Sequence, residues 1–157
     1  MNIAIVSSQG GHAGQAGIIF TPSVLKGHTI LFVTESPGKR GEYKHYFQKK
    51  YATYFYPKDV LNFNPFEYLK RFFQLRTLFI RKKVECLVTN GAQLSIPAVM
   101  AARSLGIYSI FIDTFIRVKT PNWSARFCYW FVDRFIVQHE TMKAKYGKKA
   151  EFQGSVL

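Results

Sequence analysis

The 157-residue chain has little cysteine, no long apolar run and few acidic residues, and each shortage excludes a class of protein. Its two cysteines, Cys86 and Cys128, lie far apart and form no CxxC pair, so the sequence indicates neither a disulfide framework nor a zinc site. No apolar run approaches the ~20 residues that a membrane-spanning helix needs. No leader-like segment follows Met1. We therefore expect a protein of a reducing cytosol that neither enters the secretory route nor spans a membrane.

Only nine acidic residues oppose 22 lysines and arginines, so the net charge is +13 at pH 7, and aromatic residues form 17% of the chain. A surface of this kind attracts anions, which include nucleic acid, an acidic membrane leaflet and phosphorylated ligands. Composition alone does not choose among the three. Because 48% of the residues are hydrophobic, the chain can bury a sizeable core, and we expect one domain over residues 1–157.

Short apolar runs alternate with segments of helical periodicity along the chain. The runs are rich in Ile, Val, Phe or Tyr, and several are continuously apolar, which is typical of parallel strands covered on both faces. The predicted strands are residues 3–7, 29–34, 53–56, 85–89, 109–113 and 134–138. The clearest predicted helices are residues 65–82, 96–105 and 123–132, and residues 36–41 are predicted to form a mobile loop. The alternation predicts an α/β fold, a Rossmann-like parallel sheet with helices on both faces.

Ligands bind to sheets of this kind where strands end and helices begin, so the strand ends are the candidate site. After the first strand comes SSQGGHAGQ, in which Gly10 and Gly11 make a tight turn and the free N–H groups of the next helix can hold an anion. His12 would face that anion. The glycine spacing differs from the dinucleotide-binding GxGxxG pattern, which argues against a stand-alone nucleotide-dependent reductase. The alternative is that the glycines only make the turn and that His12 is a solvated or capping residue.

Two later strand ends also carry polar residues. In TNGAQLSIP, Asn90 ends a strand and Ser95 can cap the next helix, whose N–H groups then point towards a ligand; an ordinary strand-to-helix turn is the alternative. The next strand ends at Asp113, four residues before Arg117. A carboxylate near His12 can orient and polarise the imidazole as a general base. Alternatively, Asp113 caps a helix or forms an ion pair with Arg117.

Residues 62–83 combine aromatic rings with lysines and arginines. An Asn cap followed by Pro predicts the start of a helix. At 100° per residue, apolar residues fill one half of this helix, which we expect to face the core: Phe66, Tyr68, Leu69, Phe72, Phe73, Leu75, Phe79 and Ile80. The basic half is either a solvated face or a surface that rests on an anionic bilayer, where each cation contributes about 1 kcal/mol. The cations expected at the membrane are Lys70, Arg71, Arg81 and Lys82, and residues 123–131 repeat the mixture of rings and cations.

Four blocks of the sequence, taken in their order and spacing, resemble one family. The blocks are residues 7–12, 90–97, 113–118 and 133–140. The family is the acceptor-side, membrane-associated subunit of the two-part UDP-GlcNAc transferase of lipid-linked oligosaccharide synthesis, with bacterial counterparts in polysaccharide assembly. The resemblance implies a fold like the N-terminal half of a GT-B glycosyltransferase, with the donor-binding half on a separate polypeptide.

The resemblance also implies the reaction and its partners. An inverting transfer would move a sugar from a UDP-sugar, bound mainly by the partner subunit, to a polyprenyl-diphosphate-linked sugar acceptor. The chain would act at the cytoplasmic face of the membrane as a peripheral protein, with little or no activity by itself. No cofactor, metal or nucleic acid is expected. The alternative is a basic nucleic-acid-binding module, which the charge and the aromatic content favour, although no helix-turn-helix, RRM or OB pattern is present.

Site residues follow from the same resemblance. His12 and Asp113 would be the catalytic residues, with His12 as the candidate base or phosphate contact and Asp113 in support. His139 stands where relatives commonly have Trp. The residues expected to bind the acceptor and its diphosphate are Ser8, Gly10, Gly11, Asn90, Gly91, Ala92 and Arg117.

Overall fold

The structure is a computed structural model that describes residues 1–8, 11–35, 52–56 and 64–155. Strands alternate with helices along these residues, apart from the two successive strands Thr29–Glu35 and Ala52–Tyr56. The strands are β1 (Asn2–Val6), β2 (Thr29–Glu35), β3 (Ala52–Tyr56), β4 (Cys86–Thr89), β5 (Tyr108–Ile112), β6 (Arg134–Val137) and β7 (Ala150–Phe152). The helices are α1 (Gly11–Ile19), α2 (Pro65–Arg81), α3 (Ser95–Ser104), α4 (Trp123–Tyr129) and α5 (Glu140–Tyr146).

The seven strands of the described residues are parallel and form one sheet of order β3-β2-β1-β4-β5-β6-β7. The chain moves from β1 to β2 in one direction along the sheet and from β4 to β5 in the other. Because such crossovers are right-handed, α1 and the later helices lie on opposite faces of the sheet. The reversal leaves a crevice beyond the carboxyl ends of β1 and β4, which is where sheets of this kind bind ligands.

Each face of the sheet has its own hydrophobic cluster. One cluster joins α2, α3, α4 and α5 to the sheet and includes the fully buried Phe79, Phe111 and Phe135. The other joins α1 to the sheet through Ala16 and Phe20. Every residue of β4 is buried, as a central parallel strand covered on both faces requires. The predicted α/β fold is therefore confirmed.

The predicted strands coincide with observed strands to within one residue at each end. The predicted helices correspond to α2, α3 and α4, although α4 ends three residues earlier than predicted. The periodicity did not indicate α5 and β7. Helix α5 has only seven residues, two of them lysines, and β7 has only three residues and lies at the edge of the sheet. The loop predicted at residues 36–41 lies outside the described residues. In the described part of the chain, no helix has the length and apolar character to cross a membrane.

Helix α2 is rotated relative to the sequence-based expectation. Its buried residues are Arg71, Leu75, Leu78 and Phe79. Four residues expected in the core are instead 52% to 78% exposed: Phe66, Leu69, Phe73 and Ile80. The expectation for these four was wrong, as was the placement of Arg71 on a membrane face, since Arg71 is 3% exposed and donates to Gln74 at 2.6 Å. The apolar half of this helix is wider than the surface that the sheet and α3 cover, so packing decides which part is buried.

Candidate functional site

His12 lies in the first turn of α1, just beyond the carboxyl end of β1. Its Nδ1 is 2.9 Å from the backbone carbonyl oxygen of Asn90. A carbonyl oxygen can only accept a hydrogen bond, so Nδ1 carries the proton and Nε2 is the unprotonated nitrogen of the neutral ring. The imidazole is therefore held in the tautomer that can take up a proton at Nε2.

The surroundings of His12 favour its neutral form. Burial is the main cause and lowers the pKa of His12 below its usual 6.5. The hydrogen bond to Asn90 opposes this change, and the positive charge of Arg117 adds to it. At neutral pH the imidazole is therefore mostly unprotonated, which is the state that a general base needs.

Asn90 follows β4 and positions His12 with both its backbone and its side chain. The backbone carbonyl oxygen accepts the Nδ1 hydrogen, and the side-chain Nδ2 donates to the backbone carbonyl oxygen of His12 at 2.5 Å. The Asn90 side chain is 1% exposed. These reciprocal bonds hold the first turn of α1 against the end of β4, so the contribution of Asn90 in this structure is to orient the imidazole.

Gly91 and Ala92 continue the chain with positive φ angles of 112° and 62°. A Cβ at Gly91 would come within 3.0 Å of Cε1 of His12, so both the backbone angle and the ring contact require glycine. Ala92 is held in the left-handed region, which costs a non-glycine residue about 1–2 kcal/mol. Strained residues of this kind are concentrated at functional sites.

Asp113 follows β5 and is 2% exposed. Its Oδ1 accepts the Thr114 backbone N–H at 2.9 Å, and its backbone carbonyl oxygen accepts from Nε2 of Gln15 at 2.9 Å. Gln15 thus ties α1 to the end of β5. No hydrogen bond joins Asp113 to His12 among the described residues. The expectation that this carboxylate orients the imidazole is therefore wrong, because the Asn90 carbonyl does so.

Burial raises the pKa of Asp113 to about 6. The hydrogen bond from Thr114, the Tyr146 hydroxyl and the electrostatic effects of Arg117 and His139 oppose the change, in that order. Arg117 is exposed and acts on both His12 and Asp113, so one cation influences both candidate catalytic groups. The site therefore combines a neutral imidazole with a carboxyl group that titrates near neutral pH.

The remaining predicted residues are distributed around this centre. Ser8 is buried, and its hydroxyl donates to Glu35 at 3.4 Å. Gly11 begins α1, and a Cβ there would lie 3.5 Å from Cδ1 of Ile116, which is ordinary contact. Gly10 lies outside the described residues.

Three residues of the site were missed by sequence reasoning as site residues. Gln15 follows His12 by one helical turn, and this spacing was a usable signal because residues i and i+3 share a face. His139 donates from Nε2 to the Phe115 carbonyl oxygen at 2.6 Å. Tyr146 lies on α5, and only the folding of α5 onto the sheet brings its hydroxyl near Asp113. No local pattern marks it.

The described residues do not bring three or more His, Cys, Asp or Glu side chains together in a way that would hold a metal ion. Their geometry suits proton transfer and anion binding. His12 can take a proton at Nε2, and the N-terminus of α1 carries the partial positive charge and free N–H groups that attract an anion. Arg117 adds a full positive charge beside it.

The fold is that of the N-terminal half of GT-B glycosyltransferases. The chain aligns with MurG of Acinetobacter baumannii at a TM-score of 0.78 and 15% identity, over 98% of this chain and 45% of MurG. A glycosyltransferase from Rickettsia africae ESF-5 aligns at a TM-score of 0.68 and 16% identity, over 96% of this chain and 42% of the glycosyltransferase. UDP-N-acetylglucosamine 2-epimerase of Neisseria meningitidis, solved with UDP-GlcNAc, aligns at a TM-score of 0.69 and 12% identity, over 99% of this chain and 46% of the epimerase. The chain thus spans less than half the length of each.

The family can be stated as well. A model described as "Oligosaccharide biosynthesis protein Alg14 like" matches residues 59–156, which is more than half of the chain and includes Asn90, Asp113 and Arg117. The chain belongs to the Alg14-like family. The block that contains His12 lies before the matched residues. No curated protein matches the sequence.

Proposed function

We propose that this chain is the acceptor-binding and membrane-recruiting subunit of a two-component inverting glycosyltransferase. The reaction transfers a sugar from a UDP-sugar to a polyprenyl-diphosphate-linked acceptor in glycan or polysaccharide synthesis. The observation that carries the proposal is the His12 imidazole at the start of α1, which Asn90 holds with Nε2 unprotonated. The fold around it is that of the N-terminal half of a GT-B glycosyltransferase. Membership of an oligosaccharide biosynthesis family supports the substrate class.

In this proposal His12 is the general base. Its Nε2 takes the proton of the acceptor hydroxyl as the hydroxyl oxygen forms a bond to the anomeric carbon of the donor sugar. The bond from that carbon to the UDP oxygen breaks, and UDP leaves with the electron pair. A positioned base contributes about 10² to 10⁴-fold to such a step.

The acceptor diphosphate would bind where positive charge is concentrated. The N–H groups at the start of α1 and the Arg117 guanidinium supply hydrogen bonds and charge for its oxygens. Gly11, Gly91 and Ala92 keep the surrounding backbone free of large side chains. Asp113, when ionised, would stabilise the imidazolium through its field, without a direct hydrogen bond.

The donor would be held mainly by a separate subunit that supplies the second GT-B half. This part of the proposal rests on membership of the Alg14-like family, and the chain aligns over nearly all of its own residues with 45% of MurG. Catalytic groups and donor would meet across the crevice at the carboxyl ends of β1 and β4. We therefore expect this chain alone to turn over slowly or not at all.

Recruitment to the membrane would use the outer face of α2. At 100° per residue, its four exposed apolar residues fall within about 60° and form one strip, hereafter the α2 apolar strip: Phe66, Leu69, Phe73 and Ile80. By the same rotation, Lys70 and Arg81 border one edge of the strip and Arg76 borders the other. Apolar side chains flanked by cations are typical of a surface that rests on an anionic leaflet. Lys82 is the C-cap residue of α2 and lies away from the strip.

The experiment that tests the proposal is reconstitution. The chain is co-expressed with a candidate donor-binding subunit, and sugar transfer to a lipid-diphosphate acceptor is measured for the complex and for each subunit alone. We expect a stable complex and transfer only by the complex. Failure to form a complex or to transfer with any cognate partner would refute the proposed function.

A further inference from the structure

Helix α4 and the residue after it expose three aromatic rings. Trp130 is 77% exposed, Trp123 is 45% exposed and Phe127 is 37% exposed. At 100° per residue the three fall within about 60° of one another, so they form one row, hereafter the α4 aromatic stripe. The opposite side of the helix is buried in the core through Ala125 and Cys128. The stripe therefore lies on a helix whose core side is already packed.

These rings have unusual exposure for their type. Tryptophan is highly buried on average, yet both tryptophans of this chain lie on the stripe. Tryptophan combines an apolar ring with one N–H donor, a combination enriched at the headgroup level of membranes. A row of exposed rings on one helix indicates contact with another apolar phase.

The position of the α4 aromatic stripe and the charges near it indicate which partner it contacts. Helix α3 contacts both α2 and α4, so the α4 aromatic stripe and the α2 apolar strip lie on the same side of the sheet. Arg126 on α4 and Lys145 on α5 line one cavity together with Trp130. Arg103, the exposed cation of α3, lies on the helix between the two apolar surfaces. Rings with neighbouring cations complement the acyl boundary and phosphates of an anionic bilayer.

We propose that the α4 aromatic stripe is a second membrane-contact surface, which places Trp123, Phe127 and Trp130 at the headgroup level of an anionic bilayer. This inference rests on the membrane location included in the proposed function, and it adds a second point of contact to the α2 apolar strip. One helix in contact leaves a protein free to roll about that helix axis. Two contacts on one side of the sheet prevent rolling and hold the candidate site at a constant height above the lipid that carries the acceptor.

The test uses the two tryptophans as reporters, because their fluorescence arises from the stripe alone. The full chain is mixed with vesicles of phosphatidylcholine alone or in an equimolar mixture with phosphatidylglycerol. With the anionic vesicles we expect tryptophan emission to shift to shorter wavelength and brominated phosphatidylcholine to quench it. Trp123→Phe and Trp130→Phe each leave one reporter, and both variants should show the shift.

Binding strength is measured in parallel by co-sedimentation. Phe127→Ser keeps both reporters and should weaken partitioning into anionic vesicles by about tenfold, because one apolar ring no longer leaves water. Tyr108→Ser is the matched control, since Tyr108 is 46% exposed but lies at the amino end of β5, outside the α4 aromatic stripe. Tyr108→Ser should leave partitioning unchanged. Thermal unfolding checks that both variants are folded.

Three results would overturn the inference. The first is vesicle binding without any change in tryptophan emission, which would leave the α2 apolar strip as the contact. The second is no binding to anionic vesicles. The third is an emission shift that requires the donor-binding subunit in place of vesicles, which would make the stripe a protein interface. None of these measurements reports sugar transfer. Failure of the membrane-contact inference is therefore distinguishable from failure of the proposed glycosyltransferase reaction.

Discussion

At the scale of single residues, one hydrogen bond determines which nitrogen of His12 can accept a proton. Nδ1 donates to the Asn90 carbonyl oxygen, and burial lowers the pKa of the ring, so Nε2 is available at neutral pH. We expect His12→Ala to lower kcat of the assembled complex by about 10²-fold or more, with binding of the partner retained. The exposed His28 provides the control, and His28→Ala should leave kcat unchanged. A His12→Ala complex with near-normal kcat would return His12 to a structural role.

Gly91 lies directly against the His12 ring. Gly91→Ala should destabilise the chain by more than about 1 kcal/mol, because of the positive φ, and should also lower kcat by displacing the imidazole. Gly106→Ala is a matched control, since Gly106 has a φ of 66° but open space around a Cβ. Both variants should unfold at lower urea concentration, and only Gly91→Ala should lose turnover. Equal turnover in the two folded variants would show that the ring tolerates the extra methyl group.

Asp113 makes the stability of the fold depend on pH. Its pKa is 3.8 in the unfolded reference and about 6 in the fold, so between these values the unfolded chain has released a proton that the folded chain retains. The free energy of unfolding therefore falls as pH rises through this window, by about 3 kcal/mol in total. Asp113→Asn should remove that loss and be more stable than the parent at about pH 8.

Urea unfolding of the parent and of Asp113→Asn across this pH range measures the difference directly. The other carboxyl groups are common to both chains, so they cancel in the comparison. Greater stability together with reduced transfer would indicate that Asp113 is retained for function. A variant that is less stable than the parent throughout would contradict the burial-raised pKa.

At the scale of secondary-structure elements, α2 has a buried side and an exposed side, and the exposed side is the proposed membrane contact. The buried side holds Leu75 and Phe79 against the sheet. Changing Lys70, Arg76 and Arg81 together to Gln should weaken binding to anionic vesicles by about 100-fold, at about 1 kcal/mol per cation. The fold should remain intact because none of the three is buried.

The control for α2 is Lys26→Gln, because Lys26 is exposed next to α1 on the other face of the sheet. It removes one positive charge without touching α2 and should change vesicle binding little. Co-sedimentation compares the variants under one salt condition. No loss of binding in the triple variant would show that the cations of α2 are merely solvated.

At the scale of the whole molecule, the charge of +13 and the two apolar surfaces would contribute to the proposed membrane binding in different ways. Salt screens charge and leaves apolar contact largely unaffected, since the screening length falls from about 10 Å at 0.1 M to about 3 Å at 1 M. Binding to anionic vesicles should therefore fall as salt rises and level off at a residual value set by the rings. Equal binding to neutral and anionic vesicles at low salt would contradict the electrostatic part.

Several features were determined by the sequence itself. Apolar runs of four to six residues separated by helical segments predict strands and helices in turn, because these patterns reflect local backbone geometry and burial. An Asn followed by Pro determined where α2 begins, and the Asn64 side chain accepts from the Phe66 N–H. The placement of His12 after the first strand and of Asp113 after another predicted a site at the carboxyl edge of the sheet, because parallel strands share that edge.

Only the tertiary structure decided how these parts act together. Asn90, which orients His12, is 78 residues away along the chain, and the order of the strands alone makes them neighbours. The raised pKa of Asp113 comes from burial, and the exposed strip of α2 comes from how much of that helix the sheet and α3 can cover. Local patterns specify which conformation a segment adopts. Burial, long-range hydrogen bonds and electrostatic neighbours arise only when separate segments meet. For this reason the sequence predicted where the candidate site residues lie along the strand ends but not the contacts between them.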